Sequence, residues 1–326
     1  MTITDRTSTP TSEPVDAPAG PAASTAAPAG PATLDGPAAA LAAALDGPLV
    51  STQWLADHLG ADGLVVVDAS VVPSQGADGR PSYLSGRDRF LRDGHVPGSV
   101  FADLLEAFSD PAGRFPFTRP EAAPFEAAVA ELGIGADTTV VIADTAVGQW
   151  AARLWYLFRS FGHDRVAVLD GGVNAWRAEG RPVEQRPVTV PSAGAASPLV
   201  ARPRTGFWVS TEEVAEIVAG TRPGALVCGT PPRDFAAGHI PGSLSAPAVR
   251  LVDRETNTLL PERELRALFA DVLDAPGPIV VYCGAGIAAA SDALALGLLG
   301  RHDVLLYDGS LSEWAADPAA PLASAA

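Results

Sequence analysis

The sequence of 326 residues contains no lysine, so its strongly basic side chains are all arginines. P-loop proteins, Schiff-base and pyridoxal phosphate enzymes and protein kinases each depend on a lysine, and these classes are therefore excluded. Long apolar runs are also absent, because none approaches the roughly 20 residues of a membrane span. The formal charge of −16 would repel nucleic acid and anionic membranes, and we expect neither as a partner.

Cysteine is scarce, with only Cys228 and Cys283. These two form no CxxC pair and no disulfide framework, and the five histidines are scattered, so we expect no metal and no other cofactor. Free thiols indicate a reducing compartment, and we expect a cytoplasmic protein. Residues 1–46 are rich in Pro, Ala, Ser and Thr, which predicts a disordered tail with a short helix at 38–45 rather than a targeting peptide.

Beyond the tail, strand-like and helix-like segments alternate, and the series occurs twice. Its matching landmarks, 138 to 144 residues apart, are His95 and His239, Asp144 and Cys283, Asp170 and Asp308, and Trp176 and Trp314. A slowly drifting offset over four landmarks indicates one duplicated domain. We expect an N-terminal domain over 47–185, a linker rich in proline and small residues over 186–206, and a C-terminal domain over 207–326.

One stretch of the second copy carries the features of a nucleophilic site. The apolar run from Ile279 to Tyr282 predicts a buried strand, and an alanine-rich helix follows soon after Cys283. The sulfur should therefore lie at the carboxyl edge of a sheet, against a helix N-terminus. Gly284 and Gly286 let the backbone curl so that amide hydrogens point inward, and the absence of charged side chains in the loop leaves anion binding mainly to the backbone.

Only the second copy has this nucleophile, because Asp144 stands at the matching position of the first. Other interpretations of the loop remain open. Gly284-x-Gly286-x-x-Ala289 matches a dinucleotide fingerprint, although too little chain follows to complete such a domain. Cys283 could also be a buried structural cysteine. A cysteine-dependent phosphatase is disfavoured, because it would have an arginine where Ala289 stands.

Taken together, these features resemble the two-domain rhodanese family of thiosulfate and 3-mercaptopyruvate sulfurtransferases. The matching segments are His95-Val-Pro-Gly-Ser, His239-Ile-Pro-Gly-Ser, Phe158-Arg-Ser-Phe-Gly-His163, Leu169-Asp-Gly-Gly-Val-Asn-Ala-Trp176, Tyr282-Cys-Gly-Ala-Gly and Tyr307-Asp-Gly-Ser-Leu-Ser-Glu-Trp314. The resemblance implies an α/β fold of two tandem rhodanese-like domains, each a parallel sheet with helices on both faces. It also implies an active site where the domains meet.

The resemblance implies a sulfurtransferase in which Cys283 takes a sulfane sulfur from thiosulfate or 3-mercaptopyruvate as a persulfide. A thiophilic acceptor, cyanide or a thiol, then removes that sulfur. The loop residues expected to bind the donor and stabilise the persulfide are Gly284, Ala285, Gly286, Ile287, Ala288 and Ala289. The loop is similar to the Cys-Gly-Ser-Gly-Val-Thr-Ala loop of mercaptopyruvate-preferring members, but Ala285 and Ala288 replace its hydroxyls, which leaves the donor open.

Outside the loop, the resemblance implies that the linker arginines Arg202 and Arg204 grip the anionic donor, unless they are merely solvated charges. His95 would relay a proton, with Asp88 as the acid that holds it, unless His95 is itself structural. His239 repeats the same turn, and we expect it to be structural.

Cys228 stands where the family usually has Asp-x-Arg. Its strand is expected near that of Cys283, which would allow a resolving thiol or a reversible disulfide. The alternative is a cysteine that replaces the acid without a function. The alternative function is a catalytically weakened rhodanese-like module that binds or regulates. The sequence leaves the oligomeric state open.

Overall fold

Two five-stranded parallel sheets, one in each half of the chain, organise the computed structural model, which describes residues 37–77, 79, 81–186 and 197–324. The strands are β1 (Leu49–Val50), β2 (Leu64–Asp68), β3 (Val71–Gln75), β4 (Pro81–Ser85), β5 (Val100–Phe101), β6 (Thr139–Ala143), β7 (Val166–Leu169), β8 (Trp208–Val209), β9 (Ala225–Cys228), β10 (Ser243–Ser245), β11 (Ile279–Tyr282) and β12 (Val304–Tyr307).

The helices flank these sheets, and a single 3₁₀ turn occupies Ala248–Arg250. They are α1 (Pro37–Ala43), α2 (Thr52–His58), α3 (Arg87–Asp93), α4 (Ala122–Glu131), α5 (Gln149–Ser160), α6 (Gly172–Ala178), α7 (Thr211–Val218), α8 (Pro232–Ala237), α9 (Glu262–Leu268), α10 (Ala270–Leu273), α11 (Ala288–Leu298) and α12 (Ser310–Trp314).

The strand order is the same in both halves. It is β1-β7-β6-β2-β5 in the first and β8-β12-β11-β9-β10 in the second, and neighbouring strands are parallel throughout. The central strands are β6 and β11, which Asp144 and Cys283 follow directly. This shared order confirms the two tandem domains expected from the sequence, while the domain limits of 47–185, 186–206 and 207–326 stay a prediction.

Each sheet buries both of its faces. One apolar cluster runs through both halves and includes α5 and α11, which pack against each other between the two sheets. Two smaller clusters cover the outer faces, with Trp176 in the first half and Trp314 in the second. Because side chains alternate along a strand, Val281 and Cys283 belong to the shared cluster, whereas Val280 and Tyr282 face outward.

The helix starts follow from local chemistry. The Ser51 hydroxyl accepts from the backbone N–H of Trp54 at the start of α2. Ser210 and Glu213 form a reciprocal capping box at the start of α7, as the sequence at this point predicts.

Several elements differ from the sequence-based expectation. Residues 71–85, whose prolines and small residues are typical of a loop, form the antiparallel hairpin β3–β4, in which Pro73 is tolerated because the hairpin lies outside the parallel sheets. The helix-like stretch that ends at Leu273 is two helices, which meet at Phe269. The short helix expected at 38–45 is α1, where Leu41 is buried. Residues 1–36 of the expected tail and residues 187–196 of the expected linker lie outside the described residues.

No helix within the described ranges is long and apolar enough to cross a membrane. The same part of the chain contains no group of three or more His, Cys, Asp or Glu side chains able to hold a metal ion.

Candidate active site

Cys283 lies at the carboxyl end of the central strand of the second half, and its side chain is only 4% exposed. Its backbone N–H donates to the Ser310 hydroxyl at 3.1 Å, and its carbonyl accepts from the N–H of Leu311 at 3.0 Å. Four residues separate the cysteine from the first residue of α11. The structure thus places the sulfur at a sheet edge beside a helix N-terminus, where backbone amides favour negative charge.

The backbone of this loop requires glycine at one position. Gly286 has a φ of +74°, and a Cβ there would lie 2.8 Å from the carbonyl oxygen of Asp308 and 3.2 Å from Nη1 of Arg153. A larger residue would have to displace backbone. Gly284, by contrast, has open space at its Cα and no left-handed conformation, so the curl of the loop depends on the second glycine.

The matching loop of the first half shows what this backbone can hold. One oxygen of Asp144 accepts from the N–H groups of Ala146 and Gly148, at 2.8 and 3.1 Å. The other accepts from those of Trp150 and Ala151, at 2.9 and 3.0 Å. Burial raises the pKa of Asp144, and these four hydrogen bonds pull it the other way. The first loop is therefore an anion cradle that its own side chain fills.

The second loop has the same cradle with a shorter side chain in it. The offset of 139 residues between Asp144 and Cys283 makes Ala285, Ile287, Ala289 and Ala290 the counterparts of the four donors. Within the described residues, the N–H groups of the first three have no hydrogen-bond acceptor, and that of Ala290 donates to the Ile287 carbonyl. These amides are available to an anion carried by or bound to the sulfur.

An arginine from the first half reaches this loop. Arg153 on α5 is 1% exposed, and its Nη2 donates to Asp308 Oδ1 at 2.6 Å and to the Phe117 carbonyl at 2.7 Å. Its Nη1 donates to the carbonyl of Gly286 at 3.3 Å. The second oxygen of Asp308 accepts from the backbone N–H of Arg119 at 2.9 Å. The candidate site is therefore built where the two halves meet, as expected from the sequence.

His95 is completely buried, and both of its ring nitrogens have partners. Nδ1 lies 3.0 Å from the carbonyl of Val96 and 3.1 Å from the Ser99 hydroxyl, and Nε2 lies 3.1 Å from the carbonyl of Arg186. The ring stacks on Phe90 at 3.8 Å. The catalytic role expected for His95 stays a prediction.

Asp88, expected to hold His95, is exposed on α3, and its carboxylate is not a partner of the imidazole. That pairing was wrong, because the carbonyls and the hydroxyl named above already occupy the ring.

His239 repeats the arrangement of His95 in the second half. Its ring stacks on Phe235 at 3.8 Å, and its Nδ1 lies 2.9 Å from the Phe235 carbonyl. Its backbone exchanges two hydrogen bonds of 2.9 Å with Ala323, as that of His95 does with Glu184. The repeated His-x-Pro-Gly-Ser turn thus ties the last segment of each half to its sheet, which supports the structural role expected of His239.

The structure does not bring Arg202 and Arg204 into contact with the cysteine loop. The Arg204 guanidinium donates to both carboxylate oxygens of Asp164 at 2.7 Å and to the Gly162 carbonyl. Arg202 is exposed, and its backbone N–H donates to the carbonyl of Phe161. Donor binding by these arginines stays a prediction.

Cys228 lies on the strand next to that of Cys283, as expected, but it pairs in register with Tyr282 and shares its outward face. Its sulfur lies 3.1 Å from the Thr230 hydroxyl, and burial raises the pKa of the thiol. Cys283 faces the other side of the sheet. This alternation disfavours the disulfide between the two cysteines.

Four residues near the site were not predicted from the sequence. Arg153 is a charge within an apolar helix, and Ser310 stands at the position of Gly172 in the first copy, 138 residues away; these are the sequence signals that could have found them. In the structure Gly172 and Ser310 both have a positive φ. Tyr83 comes from the unexpected hairpin, and burial, followed by the proximity of Cys283, raises its pKa. Asp292 on α11 is fully buried, and burial raises its pKa well above the ordinary value. Neither of its carboxylate oxygens has a hydrogen-bond partner among the described residues.

Comparison with known proteins agrees with this geometry. The family model described as a rhodanese-like domain matches the chain twice, at residues 51–179 and 210–317. Thiosulfate sulfurtransferase of Bos taurus is 35% identical over 293 residues, covering 82% of this chain and 91% of the bovine protein. The 3-mercaptopyruvate sulfurtransferase of Escherichia coli K12 is 33% identical over 277 residues, covering 82% and 94%.

Among solved structures, that of SseA from Escherichia coli, a 3-mercaptopyruvate sulfotransferase with the rhodanese fold, is similar to this chain with a TM-score of 0.70 and 30% identity. The alignment covers 81% of this chain and 98% of SseA. The family model matches two domains of the chain, the relatives are similar over most of their length, and the fold is shared with SseA. The chain therefore belongs to the rhodanese family.

Proposed function

We propose that this protein is a sulfurtransferase that moves a sulfane sulfur from thiosulfate or 3-mercaptopyruvate to a thiophilic acceptor through a persulfide of Cys283. One observation carries the proposal: Cys283 stands over backbone amides whose counterparts in the first half bind the Asp144 carboxylate with four hydrogen bonds. A cradle that holds a carboxylate there can hold a negatively charged sulfur here. The two curated relatives described above carry the names of these activities.

In the first half-reaction, the Cys283 thiolate attacks the outer sulfur of the donor and forms an S–S bond. With thiosulfate, the S–S bond of the donor breaks and sulfite leaves with the bonding electron pair. With 3-mercaptopyruvate, the C–S bond breaks and the thiol proton ends on the departing carbon, which gives pyruvate. In both cases a persulfide anion remains, and the N–H groups of Ala285, Ile287 and Ala289 would stabilise its charge by donating hydrogen bonds to it.

In the second half-reaction, cyanide or a thiolate attacks the outer sulfur of the persulfide. The S–S bond breaks, the acceptor leaves as thiocyanate or a new persulfide, and the Cys283 thiolate is restored. Because the first product departs before the acceptor reacts, we expect ping-pong kinetics.

Donor recognition by Arg202 and Arg204 and proton relay by His95 form part of this proposal. Arg204→Ala should raise the KM for the donor if the guanidinium leaves Asp164 to bind it. An unchanged KM would remove Arg204 from the site. Side-by-side kcat/KM values for thiosulfate and 3-mercaptopyruvate would decide which of the two donors the enzyme prefers.

A cytoplasmic location also belongs to the proposal, since a reducing compartment keeps cysteines such as Cys228 and Cys283 free. Small sulfur donors and thiol or cyanide acceptors are the partners it requires.

The second candidate function is a rhodanese-like module without turnover, favoured by the two alanines, Ala285 and Ala288, that leave the loop without hydroxyls. The test incubates the purified protein with each donor and cyanide and measures thiocyanate, with Cys283→Ser as the control. Formation of thiocyanate by the wild type alone supports the enzyme. Equal background in both proteins would leave the binding module.

A further inference from the structure

The contact between Arg153 and the loop that follows Cys283 has no role in the reaction described so far. Arg153 belongs to α5 of the non-catalytic half, and burying its charge is costly unless partners compensate. The compensation comes from the carboxylate of Asp308, the carbonyls of Phe117 and Gly286, and the ring of Trp208, which lies 5.2 Å from the guanidinium. So complete a set of partners fixes the position of the side chain.

The bond to Gly286 has a geometric consequence. A trans peptide is planar, and its C=O and N–H point in opposite directions. Because the Gly286 carbonyl points toward Arg153, the N–H of Ile287 in the same peptide points the other way. In the first half, the corresponding amide of Gly148 donates to the Asp144 carboxylate at 3.1 Å. The N–H of Ile287 is thereby aimed at the place where the sulfur of Cys283 carries its charge.

The first half reaches the same result without an arginine. Its filled cradle is ordered by Asp144, and the Asn257 side chain donates to the carbonyls of Ala146 and Gly171 across the interface. At the offset of 139, the counterpart of Arg153 is Asp292, whose carboxyl oxygens have no hydrogen-bond partner among the described residues. Of the two loops, both of which the structure describes, the arginine clamp is therefore found on the one whose cradle is left open.

We propose that Arg153 is a positioning residue of the catalytic loop, which it clamps from the non-catalytic half by holding the Gly286–Ile287 peptide with its N–H toward Cys283. The role of this clamp in sulfur transfer rests on the proposed function. Its effect on the Cys283 thiolate does not, because that effect follows from the geometry of the loop alone. The non-catalytic half then holds part of the anion cradle in position rather than serving only as a scaffold.

The test compares Arg153→Met and Arg153→Lys with Arg159→Met. Arg159 is the matched control, because it lies on the same helix and over a tryptophan ring at 5.3 Å, but its side chain is 40% exposed and pairs with Asp164. The rate of Cys283 alkylation by iodoacetamide is measured against pH, with the modified cysteine located by peptide mass. This readout reports the ease of forming the thiolate and needs no sulfur donor.

For Arg153→Met, we expect the midpoint of the rate–pH curve to rise by about one pH unit, which is a tenfold change in thiolate population. The kcat/KM should fall by about 10²-fold, the size of losing one oxyanion donor. Arg153→Lys keeps the charge and one donor and should lie between Arg153→Met and the wild type, while Arg159→Met should match the wild type. If Arg153→Met does not fold, Arg153→Lys carries the test.

An unchanged midpoint in the folded Arg153 variants, or an equal shift in Arg159→Met, would overturn the inference. Failure of the proposed function would look different. The wild type would then gain no sulfur from either donor, while the alkylation shift of the Arg153 variants would still be seen.

Discussion

The two halves of this protein contain the same loop with opposite contents. In the first half, the residue after the central strand is Asp144, whose carboxylate accepts from four amides of the loop. In the second half, the residue is Cys283, and the amides of Ala285, Ile287 and Ala289 have no acceptor within the described chain. The carboxylate of the first half fills the cradle, whereas the shorter thiol of the second half leaves these amides open to an anion.

The interface between the halves follows an approximate two-fold pattern. The backbone N–H of Leu259 donates to Asp170 at 2.7 Å, and that of Arg119 donates to Asp308 at 2.9 Å. Two residues before each donor, Asn257 and Phe117 both have a φ of +61°. Duplication therefore explains these paired contacts of the interface, while the side chains that face each loop have diverged.

The largest expected effect comes from making the second loop like the first. Cys283→Asp should abolish sulfur transfer completely, because a carboxylate cannot form a persulfide, and it should leave a folded protein. The measurement is thiocyanate production alongside a thermal melt. Residual turnover in this variant would mean that another residue carries the sulfur.

Emptying the first loop should destabilise the fold. Asp144→Ala leaves two buried and two part-buried amides without their acceptor, and we expect a loss on the order of 3–5 kcal/mol in the free energy of unfolding, measured with urea. Asp137→Ala is the control, since its exposed carboxylate pairs with Arg165 at 3.0 Å and should be worth about 0–1 kcal/mol. Equal losses in the two variants would show that Asp144 does not order its loop.

A second pair of equivalent positions, Asp68 and Cys228, gives a pH test. Burial is the main cause that raises the pKa of Asp68 from 3.8 to about 6, so the folded state holds this proton more tightly than the unfolded state. Stability from this group is therefore lost as the pH rises from about 4 to about 6. The free energy of unfolding of Asp68→Asn, relative to that of the wild type, should therefore increase by about 3 kcal/mol as the pH rises across that range.

The measurement for Asp68→Asn is urea denaturation of the variant and the wild type at about pH 3.5 and about pH 7.5, which lie on either side of the expected window. If the difference in the free energy of unfolding between Asp68→Asn and the wild type does not change with pH, the raised pKa of the buried Asp68 is contradicted.

The smallest effect separates the two glycines of the catalytic loop. Gly286→Ala introduces a Cβ 2.8 Å from a backbone oxygen at a φ of +74°, and should cost about 1–3 kcal/mol of stability. Gly284→Ala meets open space and should change stability by less than about 0.5 kcal/mol. Thermal melts of both variants decide, and the same change in each would show that the loop has no strained position.

Much of this architecture could be predicted because it is local. The β-branched runs of β6 and β11 and the helix-capping serines Ser51 and Ser210 depend on neighbouring residues. The slowly drifting offset between matching landmarks reveals the duplication. The hairpin β3–β4 could not be recognised in the same way, because Pro73 and the surrounding small residues are typical of a loop.

The site was predictable only in part, for a physical reason. Cys283 is marked by its own strand and helix, but the arginine that reaches its loop comes from α5 of the other half, and only the packing of the two halves reveals that contact. The outward face of Cys228 depends on its register with Tyr282, which the sequence does not state. Asp88 failed as a partner of His95 because nearby backbone carbonyls occupy the imidazole first.

The most direct measurement of the central claim is the intact mass of the protein after exposure to thiosulfate or 3-mercaptopyruvate. We predict one adduct of about 32 Da, the mass of a single sulfur atom, located on Cys283, removed by cyanide and absent from Cys283→Ser. No adduct with either donor, or an adduct on Cys228 instead, would contradict the account.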